Sequence, residues 1–277
     1  MDLGLAGKVA MVTGGSTGIG KATALAFARE GARVAICART ESILQETARE
    51  IEQEADAEVL AVPADVMVKS DIEKFVSATV ARFGTVDIMV NNADSVSHQA
   101  GFFDLTDEDW IEKFNIKLLA HIRFIRLVAP YMMERRWGRI INVGGNSSRI
   151  ATRDGGWTKG ATQAGLINLT KKLSIILGHY GITANVIEPG GVWSDGKTKE
   201  GLSRIEIRTE QLRKAAEQEG ISYEEMEQRY LDSLVIGRRI ESDDMADVIL
   251  FLASDRAATI TGEVMIADGG ETPTVRF

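Results

Sequence analysis

The chain has 277 residues, which is enough to bury the core of one large domain or two small ones. Its 44% hydrophobic and 26% charged residues are ordinary for a globular protein and exclude disordered, collagen-like and mucin-like classes. The net charge is -8 and no basic cluster offsets it, so nucleic acid and anionic membrane are poor partners.

The signals for cellular location are simple. Cys37 is the single cysteine, so an internal disulfide is excluded. The first residues, MDLGLAGKVAMVTGG, lack the sections of a signal peptide, and no apolar run approaches the roughly 18 residues of a membrane span. We therefore expect a cytoplasmic protein.

Short β-branched runs alternate with longer amphipathic stretches along the chain. The predicted strands are VAMVT, RVAICA, EVLAV, VDIMV, RIINV and ITANVI, followed by a helix over 242–253 and a strand over 263–267. Apolar strands of this kind need cover on both faces of a sheet. The alternation, with no linker to interrupt it, predicts a single α/β domain over 1–277 with a doubly wound parallel sheet.

One segment departs from this alternation. Charged residues and helix formers crowd 197–232, which has no strand pattern. We interpret the insertion over about 195–236 as a helical lid that encloses the substrate.

A glycine-rich loop follows the first predicted strand and opens a helix. Glycines there let the backbone approach a pyrophosphate, which binds the free N–H groups and positive end of the helix. The loop therefore predicts a dinucleotide site of the Rossmann-like kind. Its predicted binding residues are Gly14, Ser16, Thr17, Gly18, Ile19 and Gly20.

The end of the second strand indicates which dinucleotide is bound. A fold that prefers NAD usually carries an acidic residue there, but this chain has Ala38 followed by Arg39. Because a guanidinium suits a 2′-phosphate, the sequence favours NADP(H).

Further motifs follow the later strands in order. They are Asp65-Val66, Asn92-Ala93, Pro189-Gly190 with Val192 and Ser194, and Asp268-Gly269-Gly270 near the end. Together with the glycine loop, they resemble the short-chain dehydrogenase/reductase family over essentially the whole chain.

The resemblance assigns the motifs after the third, fourth and sixth strands to the cofactor site. It implies that Asp65 bonds the adenine amino group and that Asn92 lies near the adenosine ribose. It also places Val192 and Ser194 beside the nicotinamide amide. Asp94 stands where the family's fourth-strand motif normally ends in Gly, which puts a carboxylate beside the site.

The family's chemistry uses a Tyr, a Lys four residues later, a Ser about a dozen residues before the Tyr, and an Asn in the long helix after the fourth strand. The stretch AGLINLT over 164–170 matches the sequence that follows the catalytic Lys in the family. Gln163 therefore takes the Lys position and Lys159 the Tyr position.

The other two positions follow from local anchors. The RIINV strand puts the Ser position at Gly145, or at Asn146 if it is counted back from Lys159. Ser147 and Ser148 are close enough to serve instead. Trp110 and the downstream Gly138 both put the Asn position at Lys117. The chain is thus an atypical member by resemblance, because it lacks the usual Asn/Ser/Tyr/Lys tetrad.

Two of the replacements are lysines, which are seldom buried without a partner or a purpose. A protonated Lys159 would donate a proton to a developing alkoxide and stabilise it by charge. Gln163 would bond ribose hydroxyls, and Lys117 would restore the positive charge that Gln163 lacks. The sequence thus predicts an NADPH-dependent oxidoreductase that reduces a carbonyl of a small, largely apolar molecule.

Two other functions stay open. One is lysine-dependent non-redox carbonyl chemistry, such as retro-aldol cleavage or decarboxylation, which needs a lysine of lowered pKa. The other is a catalytically silent NADP(H)-binding protein, because a fold does not guarantee activity. The three histidines, among them His98 in the loop after Asn92, lack metal-ligand spacing, and we expect no metal. The resemblance implies a homo-oligomer, either a tetramer or a dimer.

The cofactor preference can be measured directly. We expect NADPH to bind at least about ten-fold more tightly than NADH, or about 1.4 kcal/mol, because Arg39 pairs with the 2′-phosphate. Fluorescence titration of the wild type and of Arg39→Ala with both nucleotides tests this, and the variant should lose the preference. Equal affinities in the wild type would contradict the assignment.

Overall fold

In a computed structural model of the chain, seven strands form one sheet in the order β3-β2-β1-β4-β5-β6-β7, and every neighbouring pair is parallel. The structure describes residues 2–94, 101–151, 156–195 and 203–272. The strands are β1 (Val9–Thr13), β2 (Arg33–Ala38), β3 (Val59–Pro63), β4 (Ile88–Asn91), β5 (Gly138–Val143), β6 (Ile182–Pro189) and β7 (Val264–Ala267).

Helices connect successive strands, as parallel strands require. Those in the described residues are α1 (Gly18–Arg29), α2 (Glu41–Ala55), α3 (Lys69–Phe83), α4 (Asp107–Phe114), α5 (Ala120–Arg135), α6 (Trp157–Leu177), α7 (Arg204–Glu219), α8 (Tyr223–Ser233) and α9 (Ser242–Ala253). Within these described helices, none is both long and apolar enough to cross a membrane.

Two apolar cores cover the two faces of the sheet. In β1, Val9 and Met11 face a core that includes Phe124 of α5, whereas Ala10 and Val12 face the core beside α1 and α9. Neighbouring residues point to opposite faces because the side-chain period of a strand is two. The predicted doubly wound parallel sheet is confirmed.

The strand order reverses between β1 and β4. From β1 the next strands, β2 and β3, are added on one side, and from β4 the strands β5 to β7 are added on the other. In open α/β sheets, a crevice forms at this reversal, outside the carboxyl ends of the strands. The loops after β1, β4, β5 and β6 all open there, so the fold gathers the predicted site residues at one edge.

The helix after β4 differs from its expected form. The sequence predicts one helix over 107–134, but a π-helical turn, Asn115–Leu119, separates α4 from α5. Such turns insert an extra residue and shift the side chains that follow, and they occur often at functional sites. Lys117 lies on this turn.

The described part of the predicted lid folds as α7 and α8, while 196–202 lie outside the described residues. Ala216 in α7 and Met226 in α8 are the buried residues of these two helices. The indole of Trp193 holds the lid to the sheet, because its Nε1 donates to the Tyr230 hydroxyl at 3.3 Å and its ring lies 3.9 Å from the Arg239 guanidinium. The Glu227–Arg239 ion pair and the backbone hydrogen bond from Ile205 to Ser194 also join the lid to the rest of the domain.

Candidate active site

The loop between β1 and α1 is folded too tightly for side chains at its glycines. A Cβ at Gly20 would lie 2.1 Å from the carbonyl oxygen of Gly14, which itself has a φ of +65°. The backbone N–H of Gly18, at the start of α1, donates to the Asp195 carboxylate at 2.8 Å. The N-terminus of α1 therefore presents N–H groups that bind a negatively charged oxygen.

Asn92 and Ala93 hold this loop in place. The Asn92 amide nitrogen donates to the carbonyl oxygen of Thr13 at 2.9 Å. The backbone N–H groups of Asn92 and Ala93 both donate to the Thr13 hydroxyl, at 2.9 and 3.0 Å. These contacts give Asn92 a positioning role in the loop, and its place near a ribose remains a prediction.

The glycine loop is also tied to its neighbours β2 and α2. The N–H of Gly15 donates to the carbonyl oxygen of Cys37 at 3.1 Å, and the Thr47 hydroxyl donates to that of Ser16 at 2.9 Å. Arg39 is exposed directly after β2. It therefore lies at the same edge of the sheet as the glycine loop.

The remaining predicted cofactor residues lie at the ends of β3 and β6. Asp65 accepts a hydrogen bond from the N–H of Met67 at 2.9 Å, and Val66 is buried. Val192 and Ser194 are buried after β6, and the carbonyl oxygen of Ser194 accepts from Ile205 of the lid at 3.3 Å.

Pro189 and Gly190 are packed against the end of the chain. A Cβ at Gly190 would lie 2.7 Å from the carboxylate of Glu271, which accepts from the N–H of Gly191 at 2.7 Å. The turn after β6 is thus held in a fixed shape.

Asp94, directly after β4, pairs with two buried lysines. The ammonium of Lys113 lies 2.6 Å from one carboxylate oxygen of Asp94, and that of Lys117 lies 3.4 Å from the other. The side chains of Lys113 and Lys117 are 2% and 1% exposed, against 26% for Asp94. Lys117 was expected in the site from the sequence, whereas Lys113 was not.

The charges in this group shift one another's pKa values. Burial opposes ionisation of Asp94, but the ammonium groups of Lys117, Lys113 and Lys159 outweigh it and hold the carboxyl pKa well below its usual range. Burial lowers the pKa of Lys117, an effect that Asp94 opposes. Asp94 therefore stays ionised and compensates the two lysines.

Lys159 lies in the first turn of α6 and is half-buried. Burial lowers its pKa to about 8; Asp94 opposes this fall, and Lys113, Arg204 and Lys117 add to it. No residue in the described part of the chain gives the Lys159 ammonium a hydrogen bond or an ion pair. A charge with no structural partner in a crevice is available for chemistry.

Gln163 lies one helical turn after Lys159 and is 2% exposed. A Cβ at Gly145 would lie 2.7 Å from the Gln163 amide nitrogen, so the Gln163 amide occupies the space that a side chain at 145 would need. The Gln163 amide oxygen is buried and has no hydrogen-bond partner among the described residues. It is free to accept a bond from a bound molecule.

Asn146, the alternative for the Ser position, begins a 3-10 turn over Asn146–Ser148. The Ser148 hydroxyl donates to Glu188, and the Arg149 guanidinium pairs with the same carboxylate. Glu188 is fully buried in β6, an unusual place for a carboxylate, and sequence reasoning missed it. Because Ser148 and Arg149 both bind the Glu188 carboxylate, Glu188 holds this turn against β6.

His121 is buried, and burial together with Lys117 lowers its pKa to about 3, so it is neutral. His98 lies outside the described residues. In the parts of the chain that the structure describes, no group of three acidic, His or Cys side chains could hold a metal ion.

Two family models match consecutive parts of the chain. One, described as short chain dehydrogenase, matches residues 8–203. The other, described as Enoyl-(Acyl carrier protein) reductase, matches residues 203–272.

Individual proteins are similar over nearly the full length. The chain is 32% identical to 3-oxoacyl-[acyl-carrier-protein] reductase FabG of Thermotoga maritima, over 96% of this chain and 98% of that protein. L-sorbose reductase from Gluconobacter frateurii, solved with NADPH and L-sorbose, has a TM-score of 0.87 and 28% identity over 99% of this chain and 100% of the other. A variant of actinorhodin polyketide ketoreductase, solved with NADPH, has a TM-score of 0.81 and 30% identity over 95% of this chain and 97% of the other.

The carboxylate of Asp94 should contribute strongly to stability. We expect Asp94→Asn to lower the free energy of unfolding by about 3 kcal/mol, the low end for a broken buried pair, because it removes the carboxylate that pairs with two buried lysines. Urea unfolding measures this, with Glu50→Gln at the exposed Lys21–Glu50 pair as a control that should cost less than about 1 kcal/mol.

The double variant Asp94→Asn/Lys117→Met should recover part of the loss, since one buried ammonium is removed. An Asp94→Asn protein as stable as the Glu50→Gln control would show that the cluster does not stabilise the fold.

Proposed function

Because the chain belongs to the short-chain dehydrogenase family, we propose that it is an NADPH-dependent oxidoreductase that reduces a carbonyl group, with Lys159 as the proton donor. The observation that carries this proposal is the half-buried Lys159 ammonium, which lacks a partner in the described residues and has a pKa of about 8. The similarity to two reductases solved with NADPH supports the cofactor and the reaction class.

The residues of the crevice fit NADPH. The N–H groups at the start of α1 suit the pyrophosphate, and the exposed Arg39 suits the 2′-phosphate. The buried Gln163 amide oxygen suits a ribose hydroxyl. Asp195 would have to release the Gly18 N–H, because a carboxylate and a phosphate would repel each other there. When bound, NADPH would supply the hydride.

Lys159 would complete the reaction by moving one proton. As the carbonyl carbon gains the hydride, the ammonium of Lys159 would give a proton to the carbonyl oxygen, which leaves an alcohol and a neutral amine. Solvent would then reprotonate the amine. Because the ammonium is positive before transfer, it would also stabilise the developing oxyanion.

We propose that all four catalytic positions of the family are replaced, by Lys117, by Gly145 or Asn146, by Lys159 and by Gln163. The tight packing of Gly145 against Gln163 supports a glycine there, because a serine side chain at 145 would require the Gln163 amide to shift. Gln163 keeps the hydrogen-bonding capacity of the missing lysine, and the positive charge is carried by Lys117, which Asp94 holds nearby.

We also propose that the segment over about 195–236 is a lid within a single domain and covers a largely apolar substrate. The link between Ser194 and Ile205 joins the lid to the nicotinamide side of the crevice. The exposed rings of Phe102 and Trp157 pack edge to face, with their centroids 5.5 Å apart. Because Trp157 is two residues before Lys159, these rings offer apolar surface near that lysine.

Replacing the proton donor tests the mechanism. We expect Lys159→Met to reduce ketone turnover about 10²- to 10⁴-fold, as for removal of a general acid, and to leave NADPH affinity unchanged. Turnover is followed by the absorbance of NADPH, and Lys172→Met, an exposed lysine on the same helix, is the control. Because the protonated form is the acid, wild-type reduction should be constant below the pKa of Lys159 and fall above about pH 8.

An active Lys159→Met protein would overturn the assignment. Trapping of a carbonyl compound on Lys159 by borohydride, with turnover in the absence of nucleotide, would instead favour the non-redox lysine chemistry.

A further inference from the structure

A carboxylate from the far side of the crevice contacts the start of α1. The N–H of Gly18, the first residue of α1, donates to the side chain of Asp195 at 2.8 Å, although the two residues are 177 positions apart in the sequence. Asp195 follows β6, whereas Gly18 follows β1. The strands β4 and β5 lie between β1 and β6 in the sheet, so this hydrogen bond crosses the crevice.

The contact lies on the path that a bound dinucleotide would take. Neighbouring strands of a sheet are about 4.8 Å apart, so the ends of β1 and β6 are separated by roughly 14 Å. A dinucleotide bound at the reversal of strand order extends across the carboxyl ends of these strands, with its pyrophosphate at the start of the first helix. The Asp195 carboxylate therefore lies where the pyrophosphate is expected.

The start of α1 has no capping group within the helix itself. The Thr17 side chain forms no cap hydrogen bond, and the first turn of α1 has no acidic residue. Helices α4 and α7, by contrast, begin with capping boxes built on Thr106 and Ser203. A carboxylate at a helix N-terminus stabilises the unpaired N–H groups and the positive end of the helix dipole. Asp195 supplies this stabilisation to α1 from outside the helix, and a phosphate would have to replace it.

The chain that leads to Asp195 is held in place. The N–H of Trp193 donates to the carbonyl oxygen of Ile240 at 2.8 Å, and the carbonyl oxygen of Ser194 accepts from the N–H of Ile205 at 3.3 Å. Trp193 and Ser194 are both buried. Because the carboxylate of Asp195 is attached to a fixed part of the chain, its effective concentration at the start of α1 is high. It therefore competes with a phosphate for the same N–H group.

We propose that Asp195 is an autoinhibitory residue of the cofactor site: in the free protein its carboxylate occupies the place of the pyrophosphate. This inference rests on the proposed binding of the pyrophosphate at the start of α1. For NADPH to bind, the hydrogen bond between Gly18 and Asp195 has to break, and the carboxylate has to move away from a phosphate of the same sign. Because the contact exists only without the cofactor, its removal raises the affinity for NADPH.

Removal of the carboxylate tests the inference. The proteins are the wild type, Asp195→Ala and the control Glu210→Ala, which removes an exposed carboxylate of α7 that pairs with Lys214. The affinity for NADPH is measured by fluorescence titration. The affinity for adenosine 2′-phosphate, which lacks the pyrophosphate, is measured by its competition with NADPH. The ¹⁵N–H signal of Gly18 in NMR spectra of the protein without ligand reports on the contact itself.

We expect Asp195→Ala to bind NADPH about five-fold more tightly than the wild type, which corresponds to the loss of one typical helix N-cap contact. Its affinity for adenosine 2′-phosphate should change less than about two-fold, because that ligand leaves the contact with Gly18 intact and exposed charges are screened. The Gly18 proton signal should move upfield in Asp195→Ala, because the proton loses a charge-assisted hydrogen bond. Glu210→Ala should change neither affinity and should leave the Gly18 signal in place.

Binding and turnover separate this inference from the proposed reduction. Tighter binding of NADPH by Asp195→Ala, with no ketone-dependent oxidation of NADPH, would support the autoinhibitory contact and overturn the reduction. Ketone reduction by the wild type, with equal or weaker NADPH binding by Asp195→Ala, would overturn the contact alone. Equal tightening of NADPH and adenosine 2′-phosphate would also overturn it, since it would indicate a general repulsion of phosphates. A Gly18 signal that does not move in Asp195→Ala would show that the free protein does not form the contact.

Discussion

The site depends on one interaction, the pairing of Asp94 with the buried ammonium groups of Lys113 and Lys117. Two lysines one helical turn apart would repel each other strongly in a protein interior, and each would be costly to bury alone. The carboxylate at the end of β4 makes their burial possible. It thereby fixes how α4 and the π-helical turn lie against the sheet, and with them one wall of the crevice.

This pairing also limits how far Asp94 can raise the pKa of Lys159. Since the charge of Asp94 is shared between two other lysines, it only partly offsets the burial and repulsion that lower the pKa of Lys159 to about 8. A lysine with this pKa is mainly protonated at neutral pH, yet it releases its proton more readily than a lysine in water. In the proposed mechanism, this pKa suits Lys159 to donate a proton to the carbonyl oxygen.

Local patterns in the sequence predict much of this arrangement. The alternation of apolar strands predicts the sheet, and the glycine loop and Arg39 mark its cofactor edge. The resemblance to the family, followed through the spacing of its motifs, brings Lys117, Lys159 and Gln163 into consideration. The contact between Asp94 and Lys113 cannot be predicted in this way, because it depends on how α4 packs against the end of β4. The π-helical turn cannot be predicted from the sequence either, because the pattern of apolar residues continues through it as it would through an α-helix.

The most direct test is an NMR titration of the lysine ammonium groups labelled with ¹⁵N, with the signal of Lys159 assigned by its loss in Lys159→Met. The account predicts a midpoint near pH 8 in the wild type. It predicts a lower midpoint in Asp94→Asn, because that variant removes the carboxylate that raises the pKa of Lys159. A midpoint near the ordinary lysine value of about 10.4, unchanged in Asp94→Asn, would contradict it.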